Sequence, residues 1–234
     1  MISVPENRFE PVTNSRVFKR ICESLNLGRM KVLDLGCAYG EHLVHFGQDS
    51  TGITTTLEEV EFGKKKNLRI EYGNAEALEL AERFDAIWAN NLFEHLASPH
   101  GFLVKLKKHS HSNALLILGV PVVPRIASLM KHSKFRGALA VAHINFFTKE
   151  TLKLTVERAG WRVKEVRPYY LGNRWLDTVL GAFSPHLYVI AQNDVDFRYH
   201  EKKLKEWKDE PYYAELLEIV QKSSEGNLKE IKQT

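Results

Sequence analysis

"KVLDLGCAYGEHL", residues Lys31 to Leu43, decides how this chain folds. A short apolar run carrying one aspartate, Asp34, leads into Gly36 and Gly40, with no lysine after the second glycine. An apolar run of this length, bounded by glycine, fits a strand buried on both faces. In open α/β sheets ligands sit beyond the carboxyl ends of the strands, where the first turn approaches them. Gly36 permits a tight turn there, and Gly40 lets a helix begin close to the ligand, because neither has a Cβ. A phosphate-binding loop would read G-x-x-x-x-G-K-[ST], and nothing like it is present. A dinucleotide loop would read G-x-G-x-x-G, but Ala38 and Glu41 stand where its second and third glycines belong. A pyrophosphate would also meet an acidic neighbour. The ligand is therefore expected to lack phosphate and to carry polar groups that meet Asp34 and the backbone of the turn.

Outward from this joint, short apolar runs alternate with helical patterns. "STGIT", "LRIEYG", "FDAIWAN" and "ALLILGV" read as strands, and "EHLVHFGQD", "LEEVEFGKKK" and "SPHGFLVKLKK" as helices. Such alternation predicts a parallel sheet covered on both faces. Upstream, Val17, Ile21 and Leu25 share a face of a helix over 12–26, with Asn14 or Ser15 as its N-cap. Downstream, Thr148 caps a helix in which Leu152, Val156 and Ala159 share a face and which Gly160 ends. Two late strands, "RVKEVRPYYL" and "HLYVIAQ", lack a full crossover helix between them, which predicts an antiparallel pair at one edge. From Asp194 the chain continues in amphipathic helical stretches that pack on or beside the main unit. The expected division is a main domain over 1–193 and a helical extension over 194–234.

The chain has 234 residues, enough for one sizeable domain with a short appendage. Its formal charge of +4 is mildly basic and speaks against a dedicated partner for long nucleic acid. Cys22 and Cys37 stand in unlike settings, so a disulfide framework is not expected and a reducing compartment is. The segment "MISVPENRFE" lacks the apolar core of a signal peptide, and no run of about 18 apolar residues occurs. The expectation is a cytoplasmic protein with no transmembrane segment. Nothing in the sequence fixes an oligomeric state.

Five motifs in order, "VLDLGCAYG", "EYGNAEAL", "FDAIWANNLFEHL", "LLILGVP" and "HINFFTKETLKLTVERAGW", carry a resemblance to class I S-adenosylmethionine-dependent methyltransferases over residues 30–192. That resemblance implies a Rossmann-like α/β fold: a seven-stranded, mostly parallel sheet with an antiparallel last strand and helices on both faces. It implies S-adenosyl-L-methionine as cofactor, with Asp34, Gly36, Cys37, Ala38 and Gly40 cradling its methionine part. Asn74 and Ala75 would lie beside the adenine, where the family commonly has aspartate, and Asn90 would face the sulfonium. The family usually ends its second strand with an acid that grips the ribose hydroxyls. Here Thr54 stands at that end, in a phrase similar to cyclopropane fatty acid synthases, and Glu59 falls where those proteins place a contacting glutamine. Two alternatives remain at this stage. Glu58, Glu59 and Glu61 would equally form a solvated helix face beside Lys64, Lys65 and Lys66, and Asn74 would equally be a turn residue capping the next segment.

Chemistry is expected at "NNLFEHL", directly after the fourth strand. Glu94 and His95 are adjacent and on a helix would point about 100° apart, so they need help from a turn to face one atom. His143, in "AHINFF", returns over the same place in the family. Transfer of a methyl group to a hydroxyl needs alignment of the acceptor and removal of its proton, a task suited to a histidine. His143 is the first choice of base, because a loop can carry it to the substrate, with His95 second and Glu94 supporting. In methyltransferases of the 3′ ends of small RNAs a similar Glu-x-x-Glu-His segment and a later histidine hold a metal. Asn91 replaces the first glutamate here, and no metal is expected.

The acceptor implied is a small molecule, a glycan or a lipid-linked intermediate. One candidate wall mixes Ile126, Leu129, Met130 and Phe135 with Arg125, Lys131, Lys134 and Arg136, and would equally be a surface helix with its apolar face on the core. A second holds Tyr169, Tyr170 and Trp175, which would equally be buried at the edge of the sheet. The missing N-P-P-[YF] motif argues against methylation of DNA-base amines. The alternative function is an inactive methyltransferase-fold partner subunit. Three departures feed it: the missing acid after the second strand, Asn74 and Ala38. Trp207, Tyr212, Tyr213 and Leu216 would then be its docking surface.

Overall fold

The computed structural model describes residues 6–124, 139–140 and 142–231. Seven strands form one sheet: β1 Val32–Leu35, β2 Thr51–Thr54, β3 Ile70–Tyr72, β4 Phe84–Asn90, β5 Ser110–Pro121, β6 Trp161–Arg167 and β7 His186–Asn193. Their order is β3-β2-β1-β4-β5-β7-β6. Strands β1 to β5 pair in parallel, whereas β7 runs antiparallel to both β5 and β6. The expected Rossmann-like sheet is present, with the antiparallel strand one place in from the edge that β6 forms.

Alternation along the central strands explains why both faces are covered. On β4, Ile87 and Ala89 join one core while Ala86 and Trp88 join the other. The first core also holds Phe102 of α4 (Pro99–Lys105) and Leu152 and Val156 of α5 (Lys149–Arg158). The second receives Phe18 and Ile21 of α2 (Arg16–Leu25), which follows α1 (Glu6–Thr13). Ser15 caps α2 by accepting from the Phe18 amide, and Asn26 closes it in the left-handed conformation. Phe18, fully buried, is the anchor of this helix, while Val17 and Leu25 are only half-buried. Helix α5 begins as its sequence requires: Thr148 and Thr151 cap each other reciprocally, and Gly160 ends it at φ +80°.

Two expectations need correction. "EHLVHFGQD" does not become a helix; only one 3-10 turn, Leu43–His45, forms between β1 and β2. The Gly47 amide donates to the carbonyls of Leu27 (3.2 Å) and Met30 (3.0 Å), and a Cβ at Gly47 would lie 2.4 Å from the Met30 oxygen. The chain is thus drawn back across the start of β1 before a second turn closes. Tyr169 is no wall of an acceptor site. It is 1% exposed, its phenol bonds Glu165, and Arg167 stacks 3.8 Å from its ring centroid. Tyr170 and Trp175 remain exposed, the latter on α6 (Arg174–Leu180). The other candidate wall, Arg125 to Arg136, lies outside the described residues.

The extension forms α7 (Glu201–Trp207) and α8 (Pro211–Ile231). Leu216, Ile219 and Val220 of α8 are buried in the first core, so Leu216 belongs to the interior and not to a docking surface. Among the described residues no helix is long and apolar enough to cross a membrane.

Candidate active site

β1, β2 and β3 end side by side, and their carboxyl ends open a cleft of about 420 Å³. At its base Gly36 turns with φ +69°, and the amides of Gly36 and Cys37 both donate to the Ile53 carbonyl (3.0 and 3.1 Å). A Cβ at Gly36 would touch Leu92, and Ala38 lies at φ 47°, in left-handed backbone that favours glycine. Gly36, Ala38, Thr54, Glu59, Asn74 and Ala75 all line this cleft. Cys37 points the other way, into the core against Gly52. Gly40 is needed for packing: a Cβ there would lie 2.8 Å from the Leu68 side chain and 3.1 Å from that of Ile70. Asp34 is buried behind the turn, where desolvation, and then Glu41, raise its carboxyl well above the carboxylate range.

The end of β2 settles the position of Glu59. The Thr54 hydroxyl donates to its carboxylate and also accepts from the Thr56 amide (3.2 Å), which turns Glu59 into the cleft at the start of α3 (Leu57–Lys65). Glu61 instead pairs with Lys64 (2.7 Å) in solvent, and Glu58 is exposed. The three glutamates are therefore not one solvated face. Asn74 both lines the cleft and caps a turn, accepting from the Glu76 amide (3.0 Å). Glu76 was not anticipated: its carboxylate accepts from the amides of Ala97 (2.9 Å) and Ser98 (2.7 Å) and ties the chain after β4 to the cleft. Its only signal in the sequence was its place inside "NAEAL".

After β4, Asn90 is packed against Gly119, its Oδ1 buried without a hydrogen-bond partner among the described residues. Asn91 takes the left-handed conformation (φ 54°) and its Oδ1 lies 3.0 Å from His186 Nε2. A 3-10 turn over Phe93–His95 then gathers three ionisable groups. Glu94 Oε1 lies 3.9 Å from His95 Nε2 and 3.9 Å from His143 Nε2. The two imidazole centroids are 4.8 Å apart, nearly perpendicular. Backbone bonds hold this meeting in place: the amides of Ile144 (3.1 Å) and Asn145 (3.0 Å) donate to the Glu94 carbonyl, and the Asn145 side chain donates to Leu96 (2.7 Å).

His95 Nδ1 lies 3.1 Å from the Ala142 carbonyl. A carbonyl only accepts, so Nδ1 carries the proton and Nε2 of the neutral ring presents its lone pair. His95 also lines the cleft, whereas His143 and Glu94 stand behind it. Glu94 is 1% exposed, and burial is the first cause that raises its carboxyl; its Oε2 has no hydrogen-bond partner among the described residues. One carboxylate and two imidazoles, with ligand atoms within 4.8 Å of one another, are also a donor set for a divalent ion. Donors sharing one ion at bonds of about 2.1 Å stand roughly 3–3.5 Å apart, so this set is wider than a loaded site.

The cleft suits a phosphate-free nucleoside. Among the described residues no lysine or arginine lines it, while Glu59 offers a carboxylate to neighbouring hydroxyls and Gly36 leaves its backbone open to close approach.

A sequence profile of the family described as "Methyltransferase domain" matches residues 7–166. Among curated proteins, a mitochondrial ubiquinone biosynthesis O-methyltransferase of Schizosaccharomyces pombe is 24% identical over 155 residues, covering 58% of this chain and 57% of that protein. The corresponding Bradyrhizobium diazoefficiens protein is 31% identical over 113 residues, 44% of this chain and 45% of its own length. The chain thus spans about half the length of the curated relatives it matches. Among solved structures, S-adenosylmethionine-dependent methyltransferases of Mesorhizobium loti and Archaeoglobus fulgidus superpose with TM-scores of 0.57 and 0.55. They are 12% and 18% identical; the first match covers 77% of this chain and 100% of the other, the second 76% and 93%. The chain accordingly belongs to the class I S-adenosylmethionine-dependent methyltransferase family, whose cofactor is S-adenosylmethionine.

Proposed function

We propose that this methyltransferase acts on oxygen, methylating a hydroxyl of a small molecule, a glycan or a lipid-linked intermediate. The observation that carries the reading is the meeting of Glu94, His95 and His143 at the end of β4, beside the cofactor cleft. When bound, the cofactor supplies an activated methyl group. Gly36, Ala38, Glu59 and Asn74 hold it. Asp34 is buried in β1 and Asn90 packs against Gly119, so neither lines the cleft. His95, which lines the cleft, takes the proton from the acceptor hydroxyl at Nε2. Glu94 then stabilises the imidazolium formed, because its buried carboxylate has few competing partners. His143 packs edge-on against His95 and holds that ring in place. This order reverses the preference for His143 drawn from sequence, since His95 is the one that reaches the cleft. The names of the curated relatives support oxygen as the acceptor atom.

The same atoms support a second reading, a divalent ion held by Glu94, His95 and His143 that orients the hydroxyl. The wide spacing requires the donors to close in, and Asn91 adds no fourth ligand because His186 engages it.

The test is transfer of labelled methyl from S-adenosylmethionine to paired hydroxyl and amine acceptors, such as catechols and anilines, with and without chelator. Transfer to hydroxyls that survives chelation and fails in His95→Ala is expected. Transfer to amines alone would falsify the oxygen reading, and loss with chelator would favour the metal. A protein that binds no S-adenosylhomocysteine in a calorimeter would instead be the partner subunit.

A further inference from the structure

A second cleft, of about 650 Å³, opens between α4, the end of α5 and the two helices of the extension, and shares no lining residue with the cofactor cleft. Its described lining includes the rings of His100 of α4, Phe197 and Tyr199 of the connection after β7, Trp207 of α7, and Tyr212 and Tyr213 of α8. They form a continuous set of ring contacts. Phe197 and Tyr199 meet at 5.0 Å, Tyr199 and Trp207 at 5.3 Å, and Trp207 stacks on Tyr213 at 4.7 Å and 12°. Two hydrogen bonds hold the rings in register: His100 Nε2 lies 2.8 Å from the Tyr199 hydroxyl, and Ser98 Oγ lies 2.8 Å from that of Tyr212. Tyr212 and Tyr213 keep 38% and 37% of their surface exposed, so the rings are accessible and not consumed by the core.

Arg158, Lys203 and His200 line the cleft, and among the described residues no aspartate or glutamate does. Lys203 is committed, lying 4.9 Å from the Trp207 centroid and bonded to Glu206 at 2.9 Å, and Glu210 is spent on the Tyr213 amide at 3.0 Å. Arg158 is exposed and makes no ion pair with any described residue. Exposed rings bind planar molecules, and an unpaired guanidinium beside them neutralises an anion. The volume lies within the roughly 300–1,000 Å³ of small-molecule sites.

We propose that this cleft is a second ligand site, taking a planar aromatic molecule that carries an anionic group, either a nucleotide or an aromatic carboxylate. Its ring packs against Tyr212 and Tyr213, which Trp207 backs, and its charge faces Arg158. Methyl transfer uses none of these residues, so the site stands apart from the activity argued above.

The test is ligand-observed NMR on the protein saturated with S-adenosylhomocysteine, which keeps probes out of the cofactor cleft. AMP and indole-3-acetate are the probes, with adenosine and indole as their uncharged counterparts and inorganic phosphate as the bare anion. At least one aromatic anion should bind with a Kd of about 1 mM or tighter. It should bind about tenfold more weakly to Arg158→Glu and be lost in Trp207→Ala, since a stacking ring carries much of such affinity. Arg158→Glu alters an exposed, unpaired side chain, so it keeps the test valid if Trp207→Ala disturbs α7. AMP alone would mark a nucleotide site and indole-3-acetate alone a carboxylate site. No binding by either anion, unchanged binding in Arg158→Glu, or equal binding of the uncharged counterparts would overturn the proposal. If S-adenosylhomocysteine does not bind, the titration is run without it, and the cleft is judged separately from the methyltransferase reading.

Discussion

Glu94, beyond the carboxyl end of β4, and Lys107, just before β5, are both buried ionisable side chains, and the fold treats them in opposite ways. Lys107 is 3% exposed and its ammonium donates to the Gly160 carbonyl (2.6 Å), Asn193 Oδ1 (2.7 Å) and the Asp194 carbonyl (3.1 Å). All three of its donors are used, and it ties the end of α5 to the end of β7. Glu94 is buried as deeply, yet one oxygen has no hydrogen-bond partner among the described residues and the other stands 3.9 Å from two imidazoles, too far for a hydrogen bond. A buried charge with complete bonding is part of the framework. One left short of partners beside titratable groups marks a place held ready for chemistry.

The largest test of this contrast is His95→Ala, which should lower methyl transfer by about 100- to 10,000-fold with little change in urea midpoint. Next in size, Lys107→Met should lower stability by about 2–3 kcal/mol, because three buried acceptors lose their donor, while S-adenosylhomocysteine affinity persists. Lys107 also carries a pH signature. Burial lowers its pKa from 10.5 to about 8, so between those values the unfolded chain holds a proton that the folded chain does not. Its contribution therefore makes stability rise with pH from about 8 to 10.5, and that slope should be shallower in Lys107→Met. Glu94→Gln should instead abolish activity while leaving stability equal or higher. A carboxyl raised by burial disfavours folding once it ionises, and the amide removes that penalty above the raised pKa. Smallest is Thr54→Val, which frees Glu59 and should weaken S-adenosylhomocysteine binding by about three- to tenfold in calorimetry.

The parts legible in the sequence are those where local rules and tertiary packing agree. The apolar runs of β1, β4 and β5 are buried strands because nothing else suits them, and Thr148 and Gly160 bracket α5 through local backbone chemistry. That no helix follows Gly40 was illegible because Leu27 and Met30, which draw Gly47 back, are distant in sequence. Gly40 itself is explained by Leu68 and Ile70, again invisible from its own neighbours. Resemblance to a family brought Gly36, Glu59 and Asn74 to one candidate site, and all three line the cleft. Glu76 was missed because its role is to accept from two amides of another loop. The choice between His95 and His143 depends on which ring nitrogen a backbone carbonyl engages, and no spacing reveals that.

The chain leaves β5 and comes back to the sheet at almost one point. Val122 bridges Phe147, the Val123 amide donates to the Phe147 carbonyl at 2.7 Å, and residues 144 and 145 are bonded to Glu94. These are main-chain bonds, so the meeting of the end of β5 with the segment around Phe147 tolerates substitution of the side chains that flank it.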